Sequence, residues 1–252
     1  CKSGGYIVAD RDNCAVSLVR MSSWPELAQA STEGKAVLAY QDDSVAGPVV
    51  SKRDTSGTDL GLQGSLWVNK EIDMKSARDV AVPMSLDRNG FSLVFDEESQ
   101  RGIDFMNEKE IISKYYPQCE RLLREVIVGS TGKDVLVKAF DHNIRSQNMF
   151  EEEKKIEGGN IVQTPVSFVH GDYTKTSAPR RLEKLGEAPK INDALRAVLG
   201  EKPLLHATEI DRASNDGGRY LFVNVWRSID RENPVSDCPL ACCDAVTNTL
   251  ES

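Results

Sequence analysis

The regular alternation of side chains between Arg219 and Arg227 limits the possible folds of this chain more than any other sequence feature. Aromatic and amide side chains fall on one face of an extended chain, and aliphatic side chains with one arginine fall on the other: Tyr220, Phe222, Asn224 and Trp226, then Leu221, Val223, Val225 and Arg227. A period of two residues is typical of a β-strand. We therefore predict that residues 219–227 form a strand.

Further short segments have the same β-rich character. Residues 64–69, 90–95 and 134–140 are strand-like, and the Asn89-Gly90 pair predicts a turn between the first two. Many short strands separated by turns indicate an α+β, mainly β protein: a β-sandwich or double-stranded β-helix (jelly roll) with peripheral helices. We assign residues 61–252 to this domain and leave residues 1–60 as an N-terminal segment without a clear assignment.

One amphipathic region stands out between Glu108 and Val126. Its apolar residues recur at intervals of three and four positions, which is the helical period: Ile111, Ile112, Tyr115, Cys119, Leu122, Leu123 and Val126. Pro117 is expected to kink this helix or to divide it, because proline has no backbone N–H to donate. A second helix is predicted near residues 190–199, where Gly200 ends it.

Composition excludes several classes of function. The chain has 252 residues, a formal net charge of −8 and a pI near 5.1, which argues against a nucleic-acid-binding protein. No apolar run approaches the roughly 20 residues of a transmembrane helix. We therefore expect a soluble protein, cytoplasmic or organellar after removal of an N-terminal segment, that binds a small-molecule substrate or a partner in a protein assembly.

The residues most suited to bind a metal ion are His170 and Asp172. They follow an apolar run that begins at Val166, and we predict that residues 166–172 are a strand of the same β-sandwich as residues 219–227. In a strand, residues i and i+2 point to the same face. A histidine nitrogen beside a carboxylate supplies two of the three ligands of the facial site that binds non-haem Fe(II). The alternative is that His170 and Asp172 bind no metal and are a hydrogen-bonded surface pair at the end of a strand.

A third ligand is not evident, because only two other histidines exist. His206 can serve if its segment is a strand, and a structural role is the alternative. His142, beside Asp141 and Arg145, suits a place around the metal or in a substrate pocket better than metal ligation.

Two arginines and one asparagine are further candidates for binding a substrate or cosubstrate. Arg227 lies on the aliphatic face of its predicted strand, so it requires an anionic partner, which is either a ligand carboxylate or a structural carboxylate. The same alternatives hold for Arg145. Asn224 either lines the pocket or makes a satisfied hydrogen bond within the protein.

Several motifs together resemble the AsaB-like/CmcJ-like hydroxylase/desaturase family, which includes a gibberellin desaturase. The matching segments lie in order within residues 65–245 and comprise Ala77-Arg78, residues 85–91, Tyr115-Tyr116-Pro117, residues 140–145, residues 169–174, residues 223–227 and residues 234–241 with Asp244. The resemblance implies a jelly-roll oxygenase that uses Fe(II) and 2-oxoglutarate, with His170 and Asp172 as metal ligands. The distal histidine and the oxoglutarate-binding arginine of that family lie further on, so we expect the domain to lack its C-terminal part.

Two functions follow from these observations. The first is an Fe(II)/2-oxoglutarate-dependent hydroxylase or desaturase that acts on a small organic molecule. The second is a non-catalytic jelly-roll relative that serves as a binding or structural subunit of a larger assembly, which the missing second metal histidine favours.

Overall fold

The architecture is that of a computed structural model, which describes residues 2–8, 16–21, 33–45, 50–53, 59–95, 102–215, 218–230, 235 and 238–247. Nine strands occur in this part of the chain: β1 Lys2–Val8, β2 Val16–Met21, β3 Glu33–Gln41, β4 Val50–Arg53, β5 Asp59–Gln63, β6 Trp67–Lys75, β7 Phe91–Phe95, β8 Val137–Ile144 and β9 Leu221–Arg227. The helices are α1 Leu86–Asn89, α2 Glu108–Glu110, α3 Tyr116–Thr131, α4 Gln147–Glu151, α5 Ser177–Lys184, α6 Arg196–Leu199 and α7 Ala207–Ser214, and a π-helical turn, Ile111–Tyr115, joins α2 to α3.

The main sheet has five strands in the order β7-β2-β9-β1-β8. Strand β1 is antiparallel to both β8 and β9, whereas β2 is parallel to both β7 and β9. The predicted strand at 219–227 is confirmed as β9, in the middle of this sheet. Its aliphatic face is the more deeply buried one, and Val223 and Val225 are fully buried there.

Two nested hairpins form the remaining pairs. Strands β3 and β6 pair over nine positions, and β4 pairs with β5 within the connection between them. The described strands combine with helices and do not close into a barrel, and a jelly roll stays a prediction. The division at residue 60 also stays a prediction, although β1 and β2 contribute to the same sheet as β7, β8 and β9.

The predicted amphipathic helix is confirmed and continues to Thr131. Ile111, Tyr115, Cys119, Leu123 and Ile127 are buried on its inner face, and α3 packs against β8. The π-helical turn ends at Tyr115, so Pro117 falls in the first turn of α3. The Tyr116 N–H donates to the Ile111 carbonyl, so the helical hydrogen bonding runs up to the proline, which itself has no N–H to donate. The helical pattern therefore passes through the proline.

Other local predictions are corrected. Asn89 ends helix α1, whose N-terminal cap is Ser85, and Gly90 adopts the left-handed conformation (φ 79°) as the C-terminal cap. Strands β6 and β7 lie in different sheets, so no hairpin joins them. The Asn89-Gly90 pair indicated a glycine with positive φ. Such a glycine occurs both at helix C-termini and in hairpin turns. Near residues 190–199 only Arg196–Leu199 is helical, and Gly200 follows it as predicted.

The largest correction concerns residues 166–172, which do not form a strand. Only Phe168 makes a β-bridge, with Ala39 of β3, and the Val169 N–H donates to the Ala39 carbonyl (2.8 Å). Alternation of side chains places residues on faces, but a strand also requires a ladder of backbone partners. Here that ladder amounts to one bridge.

Candidate metal centre

Aromatic stacking holds the segment before the candidate ligands. The rings of Trp67 and Phe168 stack with centroids 4.7 Å apart, and the Phe168 and His170 rings are 5.0 Å apart. Because Trp67 begins β6, the β3–β6 hairpin provides the support for this segment. The hairpin therefore supports Phe168, and through it the imidazole of His170, by a contact between residues 101 positions apart (168 − 67) that no local sequence signal indicates.

His170 and Asp172 do point to the same place, as the spacing predicts. His170 Nε2 lies 3.5 Å from Asp172 Oδ1, and each side chain is about 40% exposed (43% and 41%). The other ring nitrogen, Nδ1, lies 3.0 Å from the Phe168 carbonyl oxygen. A carbonyl only accepts hydrogen bonds, so Nδ1 carries a proton and donates it. Nε2 is thus the nitrogen directed towards the carboxylate.

The two side chains stabilise each other's charged forms. The hydrogen bond to Asp172 raises the pKa of His170, and burial opposes this effect. The hydrogen bond from His170 lowers the pKa of Asp172, as does a hydrogen bond from Asn224. A metal ion bound at Nε2 would take the place of its proton.

Two more of the predicted residues lie near this pair. Asn224 Nδ2 donates a hydrogen bond to Asp172 Oδ2, so the second carboxylate oxygen is held from strand β9. The charge of Arg145 lowers the pKa values of both His170 and Asp172, although less than the direct hydrogen bonds do. Its Nη1 donates to the Thr164 carbonyl (2.9 Å). The structure thus brings His170, Asp172, Asn224 and Arg145 into one neighbourhood.

His142 has a different environment. The sequence pattern predicted that the strand ends at residue 140, before Asp141 and His142. Strand β8 instead continues to Ile144, so both residues lie within it. His142 is 6% exposed, and its Nδ1 is hydrogen bonded to Tyr116 Oη at 2.8 Å. Burial, with the charges of Asp141 and Glu108, raises the pKa of Tyr116 well above its ordinary value, so the phenol stays protonated. A role of His142 in ligand binding stays a prediction.

Arg227 packs against two aromatic rings and His206 caps a helix, and a ligand-binding role of Arg227 stays a prediction. Arg227 is 2% exposed, and its guanidinium carbon lies 5.4 Å and 5.5 Å from the ring centroids of Phe105 and Tyr115. These are cation–π distances. His206 is exposed and forms the N-terminal cap of α7, where its backbone N–H donates to Glu209 Oε2 (2.7 Å). It does not lie in a strand, which was the condition for its service as a third ligand.

One titratable residue near His142 was not singled out from the sequence. Burial and the charge of Asp141 raise the pKa of Glu108 to about 6. A glutamate at the start of a helix normally indicates only a favourable interaction with the helix dipole, so no sequence signal predicts this shift.

The donor set fits two protein positions of a facial iron site. His170 supplies a nitrogen whose partner nitrogen donates to a backbone carbonyl, the arrangement common to metal-binding histidines. Asp172 supplies the carboxylate. Within the described ranges, no group of three His, Cys, Asp or Glu side chains is placed to hold a metal ion. The third ligand is therefore not among the described residues as they are arranged here.

Comparisons with known proteins point to redox chemistry. A protein-family model described as "Oxidoreductase/YMDC permease-like domain" matches residues 38–252. The chain is 31% identical over 211 residues to "Uncharacterized protein in dcmA 3'region" of Methylophilus leisingeri, covering 81% of this chain and 94% of that protein. It is 27% identical over 179 residues to "Oxidoreductase R2" of Phoma sp., covering 69% of this chain and 52% of that protein. No solved structure matches this chain.

Across the described helices, none is both long enough and apolar enough to cross a membrane.

Proposed function

Since this chain belongs to the oxidoreductase family described as "Oxidoreductase/YMDC permease-like domain", we propose that it is an Fe(II)/2-oxoglutarate-dependent hydroxylase or desaturase of the AsaB-like kind. Its substrate is a small organic molecule. Family membership supports the oxidoreductase class, and the name of the Phoma relative, "Oxidoreductase R2", agrees with it. The proposal of iron and 2-oxoglutarate rests on the site.

The observation that carries the proposal is the directed His170–Asp172 pair. Nδ1 of His170 donates to the Phe168 carbonyl, which leaves Nε2 to face Asp172 Oδ1 at 3.5 Å. Both side chains are accessible, so an ion can reach them. A nitrogen and a hard anionic oxygen at adjacent positions suit Fe(II).

The residues of this chain supply binding, orientation and charge. His170 and Asp172 would hold Fe(II), which with 2-oxoglutarate and O₂ supplies the oxidising chemistry when bound. Asn224 keeps Asp172 oriented through its second oxygen. Arg145 favours the anionic form of Asp172, which a metal ligand must have. The Trp67–Phe168 stack limits rotation of the His170 ring.

Anaerobic spectroscopy tests the proposal. Fe(II) with 2-oxoglutarate should give the visible charge-transfer absorption of a chelated keto acid in the wild-type protein. His170→Ala removes a nitrogen ligand and Asp172→Asn removes an anionic one, so both variants should lose the band. His206→Ala is the matched control and should keep it, because His206 caps α7. A wild-type protein that binds no iron would refute the proposal.

A second function has one specific observation in its favour. No third ligand converges on the pair among the described residues, and His170 and Asp172 already interact with each other and with Asn224, which donates a hydrogen bond to Asp172. The alternative is a non-catalytic relative that serves as a binding or structural subunit. In that case His170→Ala and Asp172→Asn would change no spectrum, since no metal would bind to the wild-type protein.

A further inference from the structure

Arg181 is a half-buried arginine on helix α5 that the proposed function does not use. Ala178 and Leu185, three and four residues away from it, are buried, so Arg181 lies beside the inner face of the helix. Its guanidinium carbon is 4.9 Å from the ring centroid of Phe140, which is a cation–π distance. Across the part of the chain that the structure describes, Arg181 forms no ion pair with a carboxylate. Its charge is therefore placed by an aromatic ring and not by an anion.

The hydroxyl of Tyr173 lies beside this guanidinium. Burial raises the pKa of Tyr173, whereas the charge of Arg181 and a hydrogen bond from it lower this pKa. Because a guanidinium only donates hydrogen bonds, the phenol oxygen is the acceptor, and its own O–H can still donate. Arg181 and Tyr173 therefore present a charged donor and a neutral donor side by side.

Buried aromatic rings hold both side chains in place. The Tyr173 ring stacks on Phe222 with centroids 4.4 Å apart, and Phe222 meets Phe140 edge to face at 5.8 Å. Phe140 and Phe222 are only 5% and 3% exposed. Since these rings are fixed by the core, an anion bound at the Arg181–Tyr173 pair would cost little side-chain ordering.

The Arg181–Tyr173 pair adjoins the candidate metal centre. Asp172 precedes Tyr173 in the chain, and the two side chains contact the same face of β9, where Asn224 donates to Asp172 and Phe222 stacks on Tyr173. Alternate residues on one face of a strand are about 7 Å apart. One small molecule can therefore contact the pair and the centre at the same time.

The donors limit the chemistry of such a ligand. The planar N–H groups of a guanidinium match a carboxylate, which they bind through two parallel hydrogen bonds. One guanidinium balances one negative charge, so a carboxylate suits the pair better than a doubly charged phosphate. The charges of Asp172 and Asp141 also raise the pKa of Tyr173, so the surroundings of its hydroxyl are already partly negative, which disfavours a dianion further.

We propose that Arg181 and the Tyr173 hydroxyl form a subsite for one carboxylate of an organic ligand that is bound at the candidate metal centre. This carboxylate belongs either to 2-oxoglutarate, as its distal carboxylate, or to the substrate, and its chemistry at the subsite is the same in both cases. The inference rests on the proposed function for the identity of the ligand. The binding of a carboxylate can be tested without iron.

Pairs of compounds that differ by one carboxylate test the subsite. Calorimetry on the full, metal-free chain compares 2-oxoglutarate with 2-oxopentanoate, which has a methyl group in place of the distal carboxylate, and 2-naphthoate with neutral 2-naphthamide. In at least one pair, the wild-type protein should bind the compound with the additional carboxylate about tenfold more tightly, the size expected of one charge-assisted interaction. Arg181→Gln should abolish that preference. Arg180→Gln, which changes the exposed neighbour on α5, is the matched control and should retain it.

A second variant keeps the test decisive if Arg181→Gln does not fold, which circular dichroism would show. Tyr173→Phe keeps the ring on Phe222 but removes the O–H, so the preference should fall about threefold, the size of one neutral hydrogen bond. Equal affinities within both pairs for the wild-type protein would overturn the subsite. So would a preference that folded Arg181→Gln retains, or, where that variant does not fold, one that Tyr173→Phe leaves unchanged.

Addition of Fe(II) identifies the source of the carboxylate. If the subsite binds the cosubstrate, Arg181→Gln should raise about tenfold the concentration of 2-oxoglutarate that gives half of the charge-transfer absorption, and leave that of 2-oxopentanoate unchanged. If it binds the substrate, neither keto acid should be affected, and only the preference for naphthoate should depend on Arg181. Iron absorption without any preference that depends on Arg181 would refute the subsite and leave the oxygenase proposal standing. Such a preference in a protein that binds no iron would support the subsite and refute the oxygenase proposal.

Discussion

At the scale of single residues, Glu108 shows how the fold changes a side chain that the sequence presents as ordinary. It begins helix α2, where a glutamate is favourable, but it is partly buried near Asp141. Removal from water and a neighbouring negative charge both disfavour the ionised carboxyl group. Its pKa therefore rises from 4.5 to about 6, and the folded state binds the proton more tightly than the unfolded state does.

This pKa shift predicts the direction of a pH dependence. The contribution of Glu108 to the free energy of unfolding is fully present below pH 4.5 and is lost as the pH rises through about 6. Glu108→Gln has no proton to lose, so its stability should depend less on pH over that window. Urea unfolding of both proteins from pH 4.5 to 7 measures the difference. Parallel stability curves for the two proteins would contradict the prediction.

At the scale of elements, helix α3 shows two glycines with opposite requirements. Gly132 is the C-terminal cap with φ 67°, and its N–H donates to the Val128 carbonyl. Gly129 lies three residues earlier, in the exposed last turn of the helix, where an added Cβ would meet nothing within 4 Å. A left-handed cap favours glycine, whereas a helix interior favours alanine.

The two glycines form a matched pair for mutagenesis. Gly132→Ala should lower the free energy of unfolding by about 1 kcal/mol, because a Cβ is strained at positive φ. Gly129→Ala should raise it by about 0.5–1 kcal/mol, because alanine restricts the unfolded chain and suits the helix. Denaturant unfolding measures both changes. The same sign for both variants would exclude this explanation.

At the scale of the whole molecule, the candidate metal centre joins elements that belong to different sheets. The segment before His170 is bridged to β3 of the nested hairpins, whereas Asp172 is held by Asn224 of β9 in the five-stranded sheet. The geometry of the pair therefore depends on how the hairpins and the main sheet are placed relative to each other. Asn224 is the side chain that connects Asp172 to the main sheet.

Loss of this connection should weaken metal binding. Asn224→Ala leaves both candidate ligands in place but removes the hydrogen bond to Asp172 Oδ2, so we expect Fe(II) affinity to fall about 10- to 100-fold. Asn143→Ala is the matched control. It removes the same kind of side chain from strand β8 of the same sheet and should leave the Fe(II) affinity unchanged. Equal affinities of the wild-type and Asn224→Ala proteins in an anaerobic Fe(II) titration would contradict this role.

The local features of the sequence that were predicted correctly share one physical origin. Strand β9 and the helix from Glu108 onwards are recognisable by hydrophobic periods of 2 and 3.6 residues, because each buries one face along its own length. His170 and Asp172 do approach each other, as predicted, but the strand from which this prediction was derived does not form. Where a signal had two structural solutions, as at Asn89-Gly90, the sequence could not choose between a helix end and a hairpin turn.

The sequence by itself determined that residues 219–227 are extended and that residues 108–126 are helical, since each follows from local backbone geometry. Tertiary structure alone decided that residues 166–172 form a single bridge to β3 and that Arg227 packs against the rings of Phe105 and Tyr115. It also decided that Asn224 holds Asp172 and that His206 caps a helix. These outcomes depend on partners 52 or more residues away, or on which of two local solutions the surrounding packing favours, and side-chain periodicity carries no information about either.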